Sequence, residues 1–296
     1  MSEITAYSIF AVIGCGLFFA AADFTRKKAG QYCTPAMLTA LVFTSIVPLY
    51  LVLFFMADDH YISMPYLLPG IGTVIANVTA NVFFVRSVSI SPLSKTIPLL
   101  SLTPVFTALF GFLFLDEALQ LAQWGGIALV VFGILWLYVP DGSTFDFAAI
   151  AKNFFAEKGA KFMCIVAGCW TFSPIFERVA LRYTSLPTHG LIHFALASVL
   201  IWLWISMRGG LKENPLPKKQ HWPIIGVLTL CYGFAAGFQM LSLKLVYVGI
   251  MESVKRVIGQ ISAVVLGRLV FNEPITKTKI FGIIAMAIGV PLIILT

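Results

Sequence analysis

The sequence predicts an all-α integral membrane protein whose ten transmembrane helices form two inverted five-helix repeats. Three observations lead to this prediction. Hydrophobic residues make up 59% of the chain and charged residues only 11%, whereas a soluble domain carries about 25% charged residues. Uncharged stretches recur at the length of roughly 20 residues that a helix needs to cross a bilayer. Matching residues also recur at fixed offsets in the two halves of the chain.

Ten apolar segments define the predicted helices. They are apolar on all sides, whereas the strands of a membrane barrel alternate, so helices are favoured. The first segment lacks a basic lead-in and is expected to remain as helix one rather than to be cleaved as a signal peptide. In chain order the segments are 4–22, 34–57, 61–85, 96–115, 118–140, 162–176, 184–207, 222–243, 257–267 and 280–296.

The two halves share a pattern of spaced residues. We predict repeats at 1–150 and 151–296, joined by a polar linker at 141–161. Five is an odd number of helices, so the second repeat enters the membrane from the opposite side, an arrangement typical of secondary transporters. Offsets of 156 and 152 residues relate Glu117 to Glu273, Gly126 to Gly282, Gly133 to Gly289, Phe24 to Phe176 and Arg26 to Arg178.

Helix nine carries an unusual cluster of charges, Glu252, Lys255 and Arg256, with Arg268 further along. A charge inside a membrane helix is costly and is normally retained for a functional reason. Residues three and four apart share one helix face. Either the cations hold an anionic group while Glu252 orients it or exchanges a proton, or the three form an internal ion pair. One carboxylate cannot neutralise two cations, so we expect at least one cation to bind substrate.

Other polar residues in apolar segments are candidates for the same site. Lys95 lies where three prolines are expected to break helix four, and it faces either the cavity or the membrane interface. Asn77 and Asn81 share a face of helix three, where they line a cavity or, as we favour, bond to a neighbouring helix. Gln239 in helix eight and Trp170 in helix six complete the predicted substrate-binding set, although aromatic residues more often pack.

Several further residues receive structural interpretations. His189 and His193 could relay protons or bind metal, but no cysteine or carboxylate accompanies them, so we predict no metal and no cofactor. The five cysteines show no metal or redox spacing and are interpreted as small buried hydrophobic residues. Glu117 and Glu273 are interpreted as helix caps or loop organisers. The charged residues at the ends of helices one and six, namely Asp23, Arg26, Lys27, Lys28, Glu177, Arg178 and Arg182, are interpreted as interfacial anchors.

These motifs resemble those of a known family. The run Phe-Leu-Phe-Leu-Asp-Glu at 112–117, its echo Leu-Val-Phe-Asn-Glu-Pro at 269–274 and the Gly-x6-Gly pattern that follows each are similar to the EamA type of the drug/metabolite transporter superfamily. The resemblance covers the whole chain. It implies a ten-helix bundle, a central cavity lined by helices three, four, eight and nine, and transport without ATP. Lys255-Arg256 also resembles the Lys-Arg pair of sugar-phosphate translocators, although it lies about one turn further from the helix end.

The orientation in the membrane stays open at this point. Basic residues favour the cytoplasmic side, and they are concentrated in the links after helices one, five, seven and nine, which places both termini outside. The family resemblance implies that both termini lie inside.

The sequence therefore predicts a secondary carrier that moves a small anionic or zwitterionic metabolite by alternating access, with membrane lipid as its surroundings. The alternative is an exporter of amphipathic or amine-bearing compounds held by aromatic residues and Glu252. An integral membrane enzyme or a channel is less favoured, because phosphate loops, metalloprotease motifs and nucleophile elbows are missing. We expect an inner or plasma membrane location and no nucleic-acid partner. Glycine-rich helices five and ten support either a homodimer or packing within the chain.

Overall fold

The computed structural model describes residues 6–114, 120–139 and 147–295. In these ranges helices are joined by turns and short irregular links, and an isolated bridge pairs Ile62 with Thr184. The helices are α1 (Ala6–Ala29), α2 (Pro35–Met56), α3 (Leu67–Ile90), α4 (Leu93–Thr96), α5 (Leu102–Phe114), α6 (Leu121–Trp136), α7 (Phe147–Ala156), α8 (Lys158–Ala180), α9 (Leu186–Met207), α10 (Gly210–Glu213), α11 (Trp222–Leu245), α12 (Val248–Phe271) and α13 (Lys277–Leu295).

The helices confirm a multi-pass membrane protein. Helical segments occupy all ten predicted positions, and α1, α2, α3, α8, α9 and α11 are long and apolar enough to cross a membrane. The count of ten crossings stays a prediction, since α6 is shorter and α12 carries the charges noted above. Large apolar side chains such as Leu68 and Leu269 are 84% and 73% exposed on the outside of the bundle, where lipid would cover them.

Helix four is broken, as its prolines predict. The short α4 passes into a 3-10 turn at Ile97–Ser101 before α5 begins. Pro98 and Pro104 lack the N–H that a continuous helix requires at their positions. Its counterpart in the second repeat, α12, contains no proline and runs unbroken for 24 residues. The break brings irregular backbone toward the centre of the bundle.

The two halves interleave as inverted repeats. The starts of α1 and α8 are 152 residues apart and those of α6 and α13 are 156 apart, which matches the offsets in the sequence. The most extensive packing joins α1 with α11, α3 with α8, α2 with α9 and α6 with α13. Because α1 corresponds to α8 and α11 corresponds to α3, the pair α1–α11 becomes the pair α8–α3 when the two halves are exchanged. The division at 150/151 falls inside α7 and stays a prediction.

Glycines bring α6 and α13 into backbone contact. A Cβ atom on Gly126 would lie 2.8 Å from the carbonyl oxygen of Gly289, and one on Gly133 would lie 2.6 Å from that of Gly282. The order of these contacts shows that the two equivalent helices are antiparallel. Of the two uses expected for these glycines, packing within the chain is confirmed, while the homodimer stays a prediction.

Two apolar clusters form the core. One centres on Phe43, Tyr50 and Phe194 of α2 and α9, and the other on Phe84 and Met163 of α3 and α8. All five cysteines are free, with Cys15 buried and the other four half-buried. The interpretation as small buried residues is therefore met by Cys15, while the other four are only partly buried. A polar layer lies between the two clusters.

Candidate functional site: a charged central cavity

A partly enclosed cavity lies among the helices at the centre of the bundle. Its walls come from α3, the 3-10 turn, α11 and α12, as expected for helices three, four, eight and nine. Helix α8 contributes too, as the prediction for Trp170 implied, and α1 and α9 contribute without having been predicted. The polar lining residues are Asp23, Asn77, Ser173, Glu177, His193, Gln239, Lys255 and Arg256.

The charges of α12 form the pairing that their spacing predicts. Both Lys255 and Arg256 donate hydrogen bonds to Glu252, the latter from Nη2 to Oε2 at 2.9 Å. Glu252 is 5% exposed. The two cations line the cavity, whereas Glu252 lies behind them, outside the lining set. One carboxylate therefore serves both cations at the cavity wall.

A glutamine links this cluster to a second carboxylate. Lys255 Nζ donates to Gln239 Oε1 at 3.0 Å, and Gln239 Nε2 donates to Glu177 Oε2 at 2.6 Å. The amide orientation is fixed because its oxygen faces a cation and its nitrogen faces an anion. The other Glu177 oxygen, Oε1, lies 3.8 Å from His189 Nε2. A continuous polar network thus crosses the cavity from α12 through α11 to α8 and α9.

The interpretation of Asp23, Arg26 and Glu177 as interfacial anchors is wrong. Arg26 is 2% exposed, donates to Asp23 Oδ1 at 3.1 Å, and lies 4.3 Å from the centre of the Tyr232 ring. Glu177 is also 2% exposed. The helices continue past the end of their apolar stretches, to Ala29 and Ala180, so these charges lie inside the bundle. In the part of the chain that the structure describes, Asp23, Glu177 and Glu252 balance Arg26, Lys255 and Arg256 in this layer.

The two asparagines of α3 take different roles. Asn77 lines the cavity and also binds α8, accepting from Trp170 Nε1 at 3.1 Å and donating to Ser173 Oγ at 2.9 Å. Asn77 therefore takes both of the roles that the sequence allowed, since it lines the cavity and bonds to a neighbouring helix. Asn81 lies outside the cavity lining and accepts from Arg26 Nη2 at 2.7 Å. Its contact supports the packing interpretation, because it satisfies a buried guanidinium.

The structure brings together most of the predicted substrate-binding set. Five of the eight residues line the cavity, and three, Glu252, Asn81 and Lys95, lie outside the lining. Lys95 is 36% exposed, with Nζ 4.0 Å from Glu157 Oε2, a position that favours the interface over the cavity. Substrate binding by Glu252, Asn81 and Lys95 stays a prediction, and their positions outside the cavity lining do not favour it. The lining residues of the set are Asn77, Trp170, Gln239, Lys255 and Arg256.

Sequence reasoning missed the carboxylate that faces Lys255 across the cavity. A signal for it existed, because Trp170, Ser173 and Glu177 are spaced by three and four residues and so share one face of α8. That face lines the cavity. The apolar wall was missed too, since aromatic residues are too common in membrane helices to mark a site. Its members are Phe19, Phe194, Tyr232 and Met240.

Glu273 forms a contact that joins three elements near one end of the bundle. Its carboxylate accepts from Lys27 Nζ and the Leu93 backbone N–H, each at 2.9 Å, and from Ser94 Oγ at 2.6 Å. The prediction of a helix cap is confirmed for Glu273, whereas Glu117 lies outside the described residues. A smaller void extends from the cavity past Leu93 toward this contact. The contact ties α1, α4 and the α12–α13 link together where that void ends.

Local sequence explains how Glu273 reaches this position. α12 is ended by Asn272, whose φ of 52° lies in the left-handed region that asparagine tolerates. Pro274 follows and cannot continue a helix. The backbone N–H of Glu273 then donates to the Gly267 carbonyl at 2.9 Å. This turn directs the side chain toward the start of α4.

We expect Glu273→Gln to destabilise the protein by about 2 kcal/mol, because it loses charge-assisted hydrogen bonds. Burial alone would raise the pKa of Glu273, but hydrogen bonds from Ser94 and Lys27 hold the pKa below its ordinary value. The contribution is therefore full above about pH 4.3 and lost as the pH falls through the folded pKa. Thermal unfolding midpoints of both proteins should converge at acid pH; a constant difference would contradict this account.

A second substitution tests the same contact without changing Glu273. A Cβ atom on Gly267 would lie 2.7 Å from Glu273 Oε2, so Gly267→Ala should displace the carboxylate. Gly259→Ala is the matched control on the same helix, since its Cβ would meet only Ile97 at 3.9 Å. Equal stability of the two variants would argue against a tight contact at Glu273.

Membrane-spanning helices in two related halves around a charged cavity define a multi-pass membrane transporter. The model of the EamA-like transporter family matches residues 6–139 and 157–295. The chain belongs to this family, which is part of the drug/metabolite transporter superfamily. A solved structure described as "Crystal structure of protein" shares the fold, with a TM-score of 0.67 and 15% identity over 99% of this chain and 98% of that one. No curated protein matches the sequence.

Proposed function

We propose that the protein is a secondary active carrier that moves a small zwitterionic metabolite with an apolar body by alternating access through the central cavity. One observation carries this proposal. A cation, Lys255, and a carboxylate, Glu177, line the same cavity on different helices, and the amide of Gln239 joins them. A molecule with a carboxylate at one end and an ammonium group at the other complements such a pair.

The cationic side of the cavity favours a carboxylate ligand. Lys255 and Arg256 share the single carboxylate of Glu252, so their donors are incompletely neutralised by it. An entering carboxylate accepts charge-assisted hydrogen bonds, which are about twice as strong as neutral ones. Three carboxylates already balance three cations in this layer, so a ligand without net charge keeps the layer neutral. For this reason we favour a zwitterion over a simple anion.

The remaining walls favour an apolar body attached beside the two charged groups. Phe19, Trp170, Phe194 and Met240 line the cavity together with Ala236. Small-molecule sites are usually lined by hydrophobic and aromatic side chains, with a few polar groups that fix the orientation. A purely polar metabolite would leave these walls without a partner.

The contact made by Glu273 supports alternating access. Glu273, Lys27 and Ser94 hold α1, the start of α4 and the α12–α13 link together near one end of the bundle. Inverted repeats provide a second arrangement of the same elements, in which one repeat rocks against the other around a central site. Breaking the Glu273 contact would be a step of such a cycle.

The alternative, export of amine-bearing compounds, now depends on a different residue. The sequence analysis assigned the amine of the substrate to Glu252. In the structure, one oxygen of Glu252 accepts from Lys255 and the other from Arg256, so neither oxygen is left for an amine. Asp23 and Glu177 are the two carboxylates in the cavity lining, and Asp23 Oδ1 accepts from Arg26, so we assign the ammonium group to Glu177. An amine requires Glu177 alone, whereas a zwitterion requires Lys255 as well, and this difference separates the two hypotheses.

Uptake into proteoliposomes tests the proposal with three matched compounds: leucine, isoamylamine, which lacks its carboxylate, and 4-methylpentanoate, which lacks its amine. We expect leucine to be transported and to be inhibited weakly by the other two. Lys255→Gln should weaken apparent leucine affinity about tenfold or more, since a hydrogen bond to a charged group contributes about 1.5–3 kcal/mol.

Lys244→Gln is the control, because Lys244 is exposed at the end of α11 and should leave uptake unchanged. Unaltered leucine affinity in the Lys255 variant would overturn the proposed carboxylate contact. Inhibition by isoamylamine as strong as that by leucine itself would favour the amine alternative.

A further inference from the structure

Two buried histidines lie beside Glu177. His189 is 0% exposed and His193 is 3% exposed, and their rings are 5.7 Å apart between centroids. His189 Nε2 lies 3.8 Å from Glu177 Oε1, while its Nδ1 lies 3.0 Å from the hydroxyl of Tyr66. His193 lines the cavity and His189 lies behind it. Glu177 therefore separates the cavity from a fully buried imidazole.

The imidazole of His189 is held in a place suited to gaining and losing a proton. Among the described residues, neither His189 Nε2 nor His193 Nδ1 has a hydrogen-bond partner. An unpartnered buried nitrogen costs free energy, and a protonated ring facing a carboxylate recovers some of it.

The surroundings of His189 contain one carboxylate and several neutral groups. Lys255 is one hydrogen-bonded step further away, on the far side of Gln239, so it does not compete directly for the Glu177 oxygen that faces His189. The titratable and charged groups that face His189 or its carboxylate from the packed elements are Glu177 on α8, His193 on α9, Tyr66 before α3, Tyr50 on α2, Tyr232 on α11, Cys15 on α1 and Lys255 on α12.

We propose that His189 is the proton-binding site of the carrier, and that its proton and the ammonium group of the substrate exclude each other at Glu177. The inference rests on the proposed function, because it needs the substrate ammonium to reach Glu177. The imidazolium and the ammonium group compete for the same oxygen, Glu177 Oε1, because Oε2 already accepts from Gln239 Nε2 at 2.6 Å. The carrier would therefore exchange substrate for a proton across the membrane.

The step balances in protons and in charge. The substrate ammonium group pairs with Glu177 as the imidazolium of His189 releases one proton, so one positive charge replaces another beside this carboxylate. The substrate carboxylate enters beside Lys255, and exchange of the zwitterion for one proton therefore lowers the net charge of the site by one. The reverse step, protonation of His189, expels the ammonium group.

Tyr66 can satisfy His189 in both states. Its hydroxyl accepts from Nδ1–H of the charged ring and, after rotation, donates to Nδ1 of the neutral ring. Tyr66 lies immediately before α3 and is 3% exposed. The proton is therefore exchanged on the side of the ring that faces Tyr66, whereas Nε2 faces Glu177.

The test is a count of protons released on binding. Calorimetric titration of the purified protein with leucine, in two buffers of different ionisation enthalpy near pH 6, gives the number of protons released for each ligand bound. We expect between about one half and one proton for leucine and for isoamylamine, and none for 4-methylpentanoate. Where one proton is released for each leucine bound, the apparent Kd of leucine should rise by up to about tenfold for each unit by which the pH is lowered.

His189→Gln should bind leucine with little proton release and without this pH dependence. The exposed His60 provides the control, since His60→Gln should release as many protons as the wild type. If His189→Gln does not fold, histidine-labelled NMR of the protein carrying His60→Gln and His221→Gln replaces it. Leucine should then convert one of the two remaining imidazole signals from charged to neutral.

Leucine binding without proton release would overturn this inference and leave the proposed function intact, and so would release that persists in His189→Gln. Failure of both leucine and isoamylamine to bind would instead overturn the proposed function, and the inference would fall with it.

Discussion

Glu252→Gln is expected to destabilise the protein more than any other single substitution considered for the cavity. The carboxylate accepts from both Lys255 and Arg256, and all three side chains are 11% exposed or less. Removing one member of a buried ion pair costs about 3–5 kcal/mol, because the partner charge is left uncompensated. At roughly 2–4 °C per kcal/mol, the thermal unfolding midpoint should fall by about 6–20 °C.

Two variants separate lost charge balance from lost packing. Glu252→Gln combined with Arg256→Gln restores the wild-type sum of charges on α12 and should recover more than half of the lost stability. Glu213→Gln changes an exposed glutamate and should leave the unfolding midpoint unchanged. If the single variant costs less than about 1 kcal/mol, or if the double variant is less stable still, the cluster does not behave as a buried ion pair.

Gly282→Ala is expected to separate the paired helices α6 and α13. The added Cβ would lie 2.7 Å from the backbone oxygen of Gly133 and 3.2 Å from Leu137. Backbone atoms cannot rotate away as a side chain can, so one whole helix must move. Overpacking of this kind costs about 1–3 kcal/mol, and we expect a value near the upper end, measured as a lower unfolding midpoint.

Neighbouring glycines on α6 make a matched pair of controls. Gly126→Ala should be as harmful as Gly282→Ala, since its Cβ would lie 2.8 Å from the Gly289 oxygen, whereas a Cβ on Gly125 meets nothing within 4 Å. Gly125→Ala should be neutral or slightly stabilising, because alanine is favoured over glycine in a helix. Equal effects at the two positions would contradict the close backbone contact.

Much of the fold follows from local sequence. Long apolar stretches mark the helices because the bilayer requires them, and the prolines of helix four produce its break. The pairing of Glu252 with Lys255 and Arg256 follows from helical spacing alone. The match of helix starts between halves, such as Ala6 and Lys158, was encoded in the residue offsets.

The candidate site was predicted less completely, for two physical reasons. Apolar stretches end at the first charge, but helices α1 and α8 continue beyond it, so Asp23 and Glu177 were placed at the interface instead of in the cavity. Contacts between distant helices leave no local pattern. The bridge from Lys255 through Gln239 to Glu177 depends on how three helices pack and is invisible in any one of them.

Ligand-dependent thermal unfolding tests the central claim most directly, namely that Lys255 and Glu177 hold the two ends of a zwitterion. A ligand at about 100 times its Kd adds roughly 2.7 kcal/mol to the stability of the folded protein. The account predicts that leucine raises the unfolding midpoint of the wild type more than isoamylamine or 4-methylpentanoate does, and that Lys255→Gln removes the advantage of leucine over isoamylamine. Stabilisation by leucine that is unchanged in Lys255→Gln, or matched by isoamylamine in the wild type, would contradict it.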